Sequence, residues 1–160
     1  MSTDLSGPTL PVTAHGKFLS RAGSKFFLKA MRLEEPSKAP DFNAKVELRA
    51  RLEELKTGHT TTLLVKAGGA DATLDLAAAS GLHTLLEIAC DADRLLDRAG
   101  LRSLRTEIAE TARHFGNRAG LIGFLLSPTI SADWLRMAGL DRVRNAIAKL
   151  VRHLKRHSNG

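Results

Sequence analysis

The chain is poor in aromatic residues and in cysteine, and the shortage of cysteine excludes a disulfide-stabilised protein. Only 4% of the 160 residues are aromatic, with one Trp and no Tyr. The single cysteine, Cys90, cannot form an internal disulfide. The sequence also contains no CxxC pair and no His/Cys cluster of the kind that binds structural zinc. We therefore expect no metal and no cofactor.

Long hydrophobic runs are also missing. No stretch approaches the roughly 20 consecutive apolar residues that a membrane helix needs. The first residues, MSTDLSGPTLPVTAHGK, carry an early Asp and no apolar segment, unlike a secretory signal. Because 43% of the residues are hydrophobic, the chain can still bury a core. The sequence predicts a cytoplasmic protein without a membrane partner, with a flexible lead-in at 1–15 and one domain at 16–160.

Positive charge is concentrated near the end of the chain. Residues 1–135 hold 17 basic and 16 acidic side chains, a net charge of +1, whereas residues 136–160 hold seven basic and one acidic, a net charge of +6. If residues 136–160 form a helix, these basic side chains can lie along one exposed stripe, which can bind an anionic polymer or nucleic acid weakly through phosphates. Lys and Arg also simply complement the C-terminal end of a helix dipole. The lack of aromatic residues after Trp134 argues against nucleic acid as a partner.

Apolar runs and helical stripes alternate along the chain. A short hairpin is predicted around Arg21–Ser24, and strands are predicted near residues 26–33, 60–65, 82–89 and 121–126. Helices are predicted at 44–57 and 71–80, from Ser103 to Gly116, and at 134–156, with a short helical turn within 91–100. Four strand–helix units with short loops are typical of a parallel α/β sheet.

Two architectures share this pattern, an open doubly wound sheet and a closed eight-stranded barrel. In both, functional residues gather at the carboxyl ends of the strands. The connection after the first strand, EEPSKAPDFN, contains no Gly, and the spacing around Gly68 and Gly69 fits no phosphate-binding motif. A nucleotide-binding fold is therefore disfavoured.

Four segments together resemble the first half of a glycoside hydrolase (β/α)8 barrel. They are GKFLSRAGSKFFLKAMRL, LRARLEELKTGHTTTLLV, LDLAAASGLHTLLEIA and IAETARHFGNRAGLIGFLLSPTISADWL. More narrowly, they are similar to the hydrolase-like domain at the N-terminus of some bacterial family 2 glycosyltransferase proteins. The resemblance runs from about Gly16 to Gly160. It implies an α/β fold of four strand–helix units, half of a TIM barrel, preceded by a β-hairpin.

Departures from that family are as informative as the match. The fourth strand of the family ends in Gly-Asn-Glu, whose Glu is the general acid/base, and this motif falls on Ser127-Pro128-Thr129. The Arg expected in the second strand falls on Leu63, and the aromatic residue expected at the end of the third falls on Cys90. Glycoside hydrolysis normally takes two carboxylates. Thr129 cannot serve as a titrating acid, and the second carboxylate belongs to the half of the barrel that four units do not reach.

Two carboxylates remain as candidates. Glu87 lies in the apolar run HTLLEIA and is the one catalytic candidate, as a carboxylate facing the barrel interior. Alternatively it pairs with Lys or Arg at an open sheet edge. Glu34 follows the first strand and is a candidate ligand-binding residue, with a solvated loop charge as the alternative.

Three other positions have a functional and a structural interpretation. Cys90 at a strand end is either a ligand-binding or nucleophilic thiol or a small buried residue. Trp134 either stacks on a sugar ring or anchors the last helix. His153 and His157 lie four residues apart, as a metal pair would, but no third ligand is evident and basic neighbours oppose a cation.

The combined prediction is a catalytically degenerate glycoside hydrolase-like module that binds carbohydrate or acts as a scaffold near polysaccharide or glycan synthesis. Half a barrel leaves its first and last strands without neighbours, so we expect a homo-oligomer or a partner half-barrel. Two other functions stay open. One is an active glycosidase or transglycosidase completed by a partner chain, and the other is a weak anionic-polymer binder acting through the basic helix.

Overall fold

A computed structural model of the protein describes residues 10–34 and 42–158. Its elements, in chain order, are β1 (Val12–His15), β2 (Phe18–Arg21), β3 (Ser24–Phe26), β4 (Ala30–Arg32), α1 (Phe42–Thr57), β5 (Thr62–Lys66), α2 (Asp71–Ala79), β6 (His83–Asp91), α3 (Ala92–Leu96), α4 (Arg98–Phe115), β7 (Leu121–Thr129), α5 (Ala132–Ala138) and α6 (Leu140–His157). Most of the proline-containing loop after the first predicted strand, and the first part of the lead-in, lie outside the described residues.

A parallel sheet of four strands forms the framework, with the order β4-β5-β6-β7. Strands β4 and β5 pair in parallel, with Ala30 opposite Thr62 and Arg32 opposite Leu64. Helices separate the successive strands, which is how a parallel sheet returns the chain to the same edge. The predicted α/β fold with a parallel sheet of four strand–helix units is confirmed. Strands β4 and β7 stand at the two ends of the order, as the sequence predicts.

A separate antiparallel sheet, β1-β2-β3, precedes the parallel one. The turn between β2 and β3 places Ala22 at φ 50° and Gly23 at φ 77°. Positive φ at two central residues is the geometry that joins twisted antiparallel strands most closely. This confirms the predicted hairpin. Residues 12–15, which the sequence places in the flexible lead-in, instead form β1 and pair with β2 along its whole length. The domain boundary after residue 15 stays a prediction.

The chain divides into two compact units, Met1–Leu86 with Arg118–Phe124, and Glu87–Asn117 with Leu125–Gly160. In the first unit, α1 contacts α2, and Leu52, Leu63 and Leu74 are fully buried or nearly so. Arg118 forms ion pairs with Asp71 and Asp75 of α2. Asp71 is the first residue of α2, where a carboxylate is favourable to the helix dipole.

In the second unit, α4 packs against α3 and α6. The buried side of α4 is made by Leu104, Ile108, Ala109, Ala112 and Phe115, and that of α6 by Val143, Ala146, Leu150 and Leu154. These positions recur every three or four residues, so each helix presents one apolar stripe. Arg94 of α3 donates hydrogen bonds to Ser103 and Glu107 of α4, at 3.2 and 2.8 Å.

Three predicted boundaries are wrong. The long helix begins at Arg98 rather than at Ser103, because the Asp97 carboxylate accepts the Gly100 N–H at 2.6 Å and caps it. The last helix is two helices, since Gly139 at φ 82° separates α5 from α6. The first strand is also shorter than the predicted 26–33, as β4 covers only residues 30–32.

The close approach of α3 to α4 depends on Gly100. A Cβ at this position would lie 2.6 Å from Arg94 Cα and 2.8 Å from Arg94 O, both backbone atoms that cannot rotate away. We expect Gly100→Ala to destabilise the fold by about 1–3 kcal/mol, since overpacking outweighs the gain of up to roughly 1 kcal/mol in helix propensity. Gly68 has nothing within 4 Å of its Cβ position, so Gly68→Ala is the matched control. Thermal unfolding checks this, and equal melting temperatures for the two variants would contradict it.

Candidate functional site

The carboxyl end of β7 holds the position that the hydrolase resemblance assigns to the general acid/base. Thr129 is the last residue of this strand and is exposed. Ser127 and Pro128 precede it in the same strand. A threonine hydroxyl donates and accepts hydrogen bonds but does not exchange a proton near neutral pH. Thr129 can therefore contact a bound hydroxyl but cannot protonate a leaving group.

Strand β6 carries Glu87 in its interior. One face of this strand is fully buried. Every second side chain points to it, and each of these is at most 1% exposed: Thr84, Leu86, Ile88 and Cys90. Glu87 lies on the other face, as side chains alternate along a strand, and it is 6% exposed. It is not an isolated charge, since it interacts with its surroundings. Because β6 lies between β5 and β7, Glu87 is not at a sheet edge as predicted. Its pairing with a Lys or Arg stays a prediction.

Cys90 lies one residue before the end of β6 and is 1% exposed. Its thiol donates a long hydrogen bond of 3.7 Å to the carbonyl of Ile88. Burial and then the nearby Glu107 carboxylate raise the pKa of the Cys90 thiol to about 11, although Arg94 acts in the opposite direction. A thiol in this environment stays protonated near neutral pH and is a poor nucleophile.

Trp134 lies in the first turn of α5, where the Ser131 side chain accepts its backbone N–H at 3.1 Å. The indole Nε1–H donates to the Asp93 carboxylate of α3 at 3.2 Å. Together with Leu96, Met137 and Ala138, these two side chains line a cavity of about 310 Å³. An aromatic ring beside a carboxylate can stack on an apolar ring face and accept hydrogen bonds from hydroxyl groups.

Asp93 is the member of this cavity that the sequence analysis missed. Its position, two residues beyond the end of β6, is a signal that could have found it, because functional side chains gather at the carboxyl ends of parallel strands. Met137, which is 82% exposed, leaves the cavity open on one side. The structure brings Trp134 together with Asp93, and Cys90 is not among the residues that line this cavity.

Glu34 belongs to the first unit and is exposed, next to the buried Leu33. It follows β4 by two residues, at the carboxyl end of that strand as the sequence predicts. A role for Glu34 in ligand binding stays a prediction.

His153 and His157 each bond to a backbone carbonyl. His153 Nε2 lies 3.1 Å from the carbonyl of Arg105, and His157 Nδ1 lies 2.9 Å from that of His153. Burial and then the neighbouring His157 lower the pKa of His153. Within residues 10–34 and 42–158, no three His, Cys, Asp or Glu side chains gather as metal ligands would.

The basic stripe of α6 is solvent-exposed. Arg142, Lys149, Arg152 and Arg156 lie opposite the buried side of the helix, as the spacing predicts. Arg144, on the same helix, is paired with Asp141 at 2.9 Å.

Comparison with solved structures identifies a similar fold. The chain is similar to the crystal structure of a glycoside hydrolase family 5 protein from Bacteroides vulgatus ATCC 8482, with a TM-score of 0.59 and 12% sequence identity. The fold is glycoside hydrolase-like. The match covers 95% of this chain and 38% of that chain, a partial coverage that fits the predicted half-barrel.

No protein-family model and no curated protein matches the sequence. At 12% identity the structural likeness establishes the fold alone. No helix within the described residues is long and apolar enough to cross a membrane.

The raised pKa of Cys90 predicts an unreactive thiol. At pH 8 only about one thiol in a thousand is ionised when the pKa is near 11, so reaction with a disulfide reagent should be far slower than in denaturant. Because the folded-state pKa lies above the ordinary 9.0, this group's contribution to stability is present below pH 9 and lost as the pH rises towards 11. Thiol titration in native buffer and in guanidinium checks the first expectation. Equal rates would contradict it.

Proposed function

We propose that the chain is a catalytically degenerate glycoside hydrolase-like module that binds carbohydrate. The observation that carries this proposal is that β7 ends at Thr129, the residue on which the family resemblance puts the acid/base Glu. The structural similarity to a glycoside hydrolase family 5 protein supports the glycoside hydrolase-like fold on which the proposal builds. A glycosidase needs a proton donor at the scissile oxygen, and a hydroxyl of ordinary acidity does not supply one.

The cavity beside Trp134 supports a binding role. Its volume of about 310 Å³ is at the lower end of the range for small-molecule sites. Sugar rings present both an apolar face and a rim of hydroxyl groups. The Trp134 ring complements the face, and the Asp93 carboxylate, already accepting the indole N–H, has further lone pairs for hydroxyl donors.

The resemblance to a domain of family 2 glycosyltransferase proteins supports a place near polysaccharide or glycan synthesis. In that setting the module holds or guides a glycan rather than cleaving it. The terminal positions of β4 and β7 in the sheet support pairing with a second copy of the chain or with a chain that supplies further strands.

Binding to polysaccharide tests the proposal. We expect retention on an affinity gel containing a β-linked glucan or a similar polysaccharide, with Trp134→Ala weakening binding about tenfold, roughly 1.4 kcal/mol. Phe42→Ala is the matched control, because Phe42 is 80% exposed and lies in the other unit. Equal retention of both variants, or no retention of the wild type on any of a panel of neutral and acidic polysaccharides, would show the assignment to be wrong.

Catalysis is tested separately with aryl glycosides. With Thr129 in the acid/base position we expect no release of the aryl group above the rate in buffer, at any pH between 4 and 8. The buried Glu87 is the remaining catalytic candidate. If turnover appears and Glu87→Gln abolishes it while the melting temperature is kept, the chain is an active glycosidase and the degenerate assignment fails.

A further inference from the structure

A second cavity, of about 530 Å³, lies at the amino ends of the parallel strands. Its wall includes the residues that immediately precede three strands, Lys29 before β4, Thr61 before β5 and Leu82 before β6. The rest of the wall comes from the hairpin sheet, from the end of α1 and from the connecting segments beside them. All of these residues belong to the first unit, so the cavity is separate from the one beside Trp134.

The wall of this cavity is cationic. Arg21, Lys29 and Lys56 line it, His59 stands beside them, and no carboxylate is among the lining residues. Lys25 also belongs to the lining, but its side chain lies on the other face of the hairpin from Arg21 and Phe26, with its ammonium 4.6 Å from the Phe18 ring centroid. Within the described ranges 10–34 and 42–158, Arg21, Lys29 and Lys56 do not pair with an Asp or Glu. The sequence shows the same bias, because residues 5–33 contain no Asp or Glu. Three clustered cations without counter-charges favour a multiply charged anion.

Hydrogen bonds fix the backbone at Lys29 and Thr61, two residues of the cavity wall. Thr61 Oγ1 donates to the carbonyl of Phe27 and accepts the N–H of Lys29, both at 2.9 Å. The Thr61 N–H in turn donates to the carbonyl of Lys29 at 3.0 Å. His59, with φ 62°, is the left-handed residue that ends α1, where the Thr60 N–H donates to the carbonyl of Leu55 at 3.0 Å.

One side of the cavity is apolar and aromatic. Phe27 is 69% exposed. Phe26 lies beneath the Arg21 guanidinium, whose Cζ is 5.8 Å from the ring centroid. The Phe26 ring also contacts the ring of His83 edge-to-face, with 5.0 Å between the two ring centroids. A ligand here can therefore place a charged group against the lysines and an apolar or aromatic group against the phenylalanines.

His83 reports on the charge of this wall. It is 1% exposed. Burial and then the positive charge of Arg21 lower its pKa, and a hydrogen bond with the backbone of Gly120 acts in the opposite direction. The imidazole is therefore neutral near pH 7 and adds no charge, and an anion bound beside Arg21 would offset part of the lowering.

We propose that this cavity binds a diphosphate ester of an apolar or aromatic group. Lysine ammonium groups and an arginine fork together neutralise the charges of a diphosphate. The volume fits a small molecule, not a polymer strand. Nucleoside diphosphates and prenyl diphosphates share this chemistry, and their affinities distinguish them. The inference does not rest on carbohydrate binding at Trp134, so either can fail without the other.

Calorimetric titration of the full chain tests the proposal at roughly physiological salt. The probes are inorganic pyrophosphate, a nucleoside diphosphate and geranyl diphosphate. We expect saturable binding at one site, with at least one ester binding more tightly than pyrophosphate because of the aromatic wall. The double variant Lys29→Gln/Lys56→Gln should weaken binding at least tenfold. The matched control, Lys149→Gln/Arg152→Gln on α6, removes the same charge and should leave affinity within twofold.

A second measurement follows His83 by NMR. At a ligand concentration that just saturates the wild type, the pKa of His83 should rise in the wild type and in the α6 control, and should rise less in the Lys29/Lys56 variant. If that variant unfolds, Lys56→Gln alone replaces it, because Lys56 comes from α1 and leaves the hairpin intact. Absence of saturable binding by all three probes, equal weakening by the α6 control, or binding only to DNA or to anionic vesicles would overturn the proposal.

Discussion

The fold depends on the hydrogen bonding of β6 to a neighbour on each side. The His83 N–H donates to the carbonyl of Thr61 at 3.0 Å, and the next amide, that of Thr84, donates to the carbonyl of Gly120 at 2.8 Å. Consecutive amides thus join the strand to the segments that open β5 and β7. An interior strand with one fully buried face fixes the order of the sheet, and with it the edge at which the carboxyl ends emerge. Thr129, Cys90 and Glu87 owe their positions to this strand and its neighbour.

The sequence predicts the elements well where the signal is local and periodic. Strands β5, β6 and β7 and helices α1 and α2 stand within a few residues of their predicted positions, because apolar runs and Gly stops mark them. The failures have physical causes. Asp97 and Ser103 are both residue types that favour the N-cap of a helix. Only the structure shows that the Ser103 hydroxyl instead accepts a hydrogen bond from Arg94. The apolar period continues through Gly139, so periodicity alone does not show that a left-handed residue divides the helix. Strand β1 is mostly exposed and forms by pairing, which leaves no periodic signal.

The candidate site is predictable in part. The rule that function gathers at the carboxyl ends of parallel strands led to Cys90, the family resemblance led to Thr129, and the aromatic side chain led to Trp134. None of these signals gave contacts. The hydrogen bond between Trp134 and Asp93 joins residues 41 positions apart, and no pattern in the sequence predicts it. The cationic cavity was missed because its wall comes from several segments. The run of residues 5–33 without an acid was visible, but the net charge of residues 1–135 concealed it.

Native-state hydrogen exchange along β6 tests the central claim most directly. In an interior parallel strand, consecutive amides donate alternately to two neighbouring strands, so all of them are protected. The account predicts slow exchange at every position from His83 to Ile88, at rates near that of global unfolding. Alternation of slow and fast amides along this segment would identify β6 as an edge strand, and would contradict the sheet order on which the placement of Glu87 and Thr129 depends.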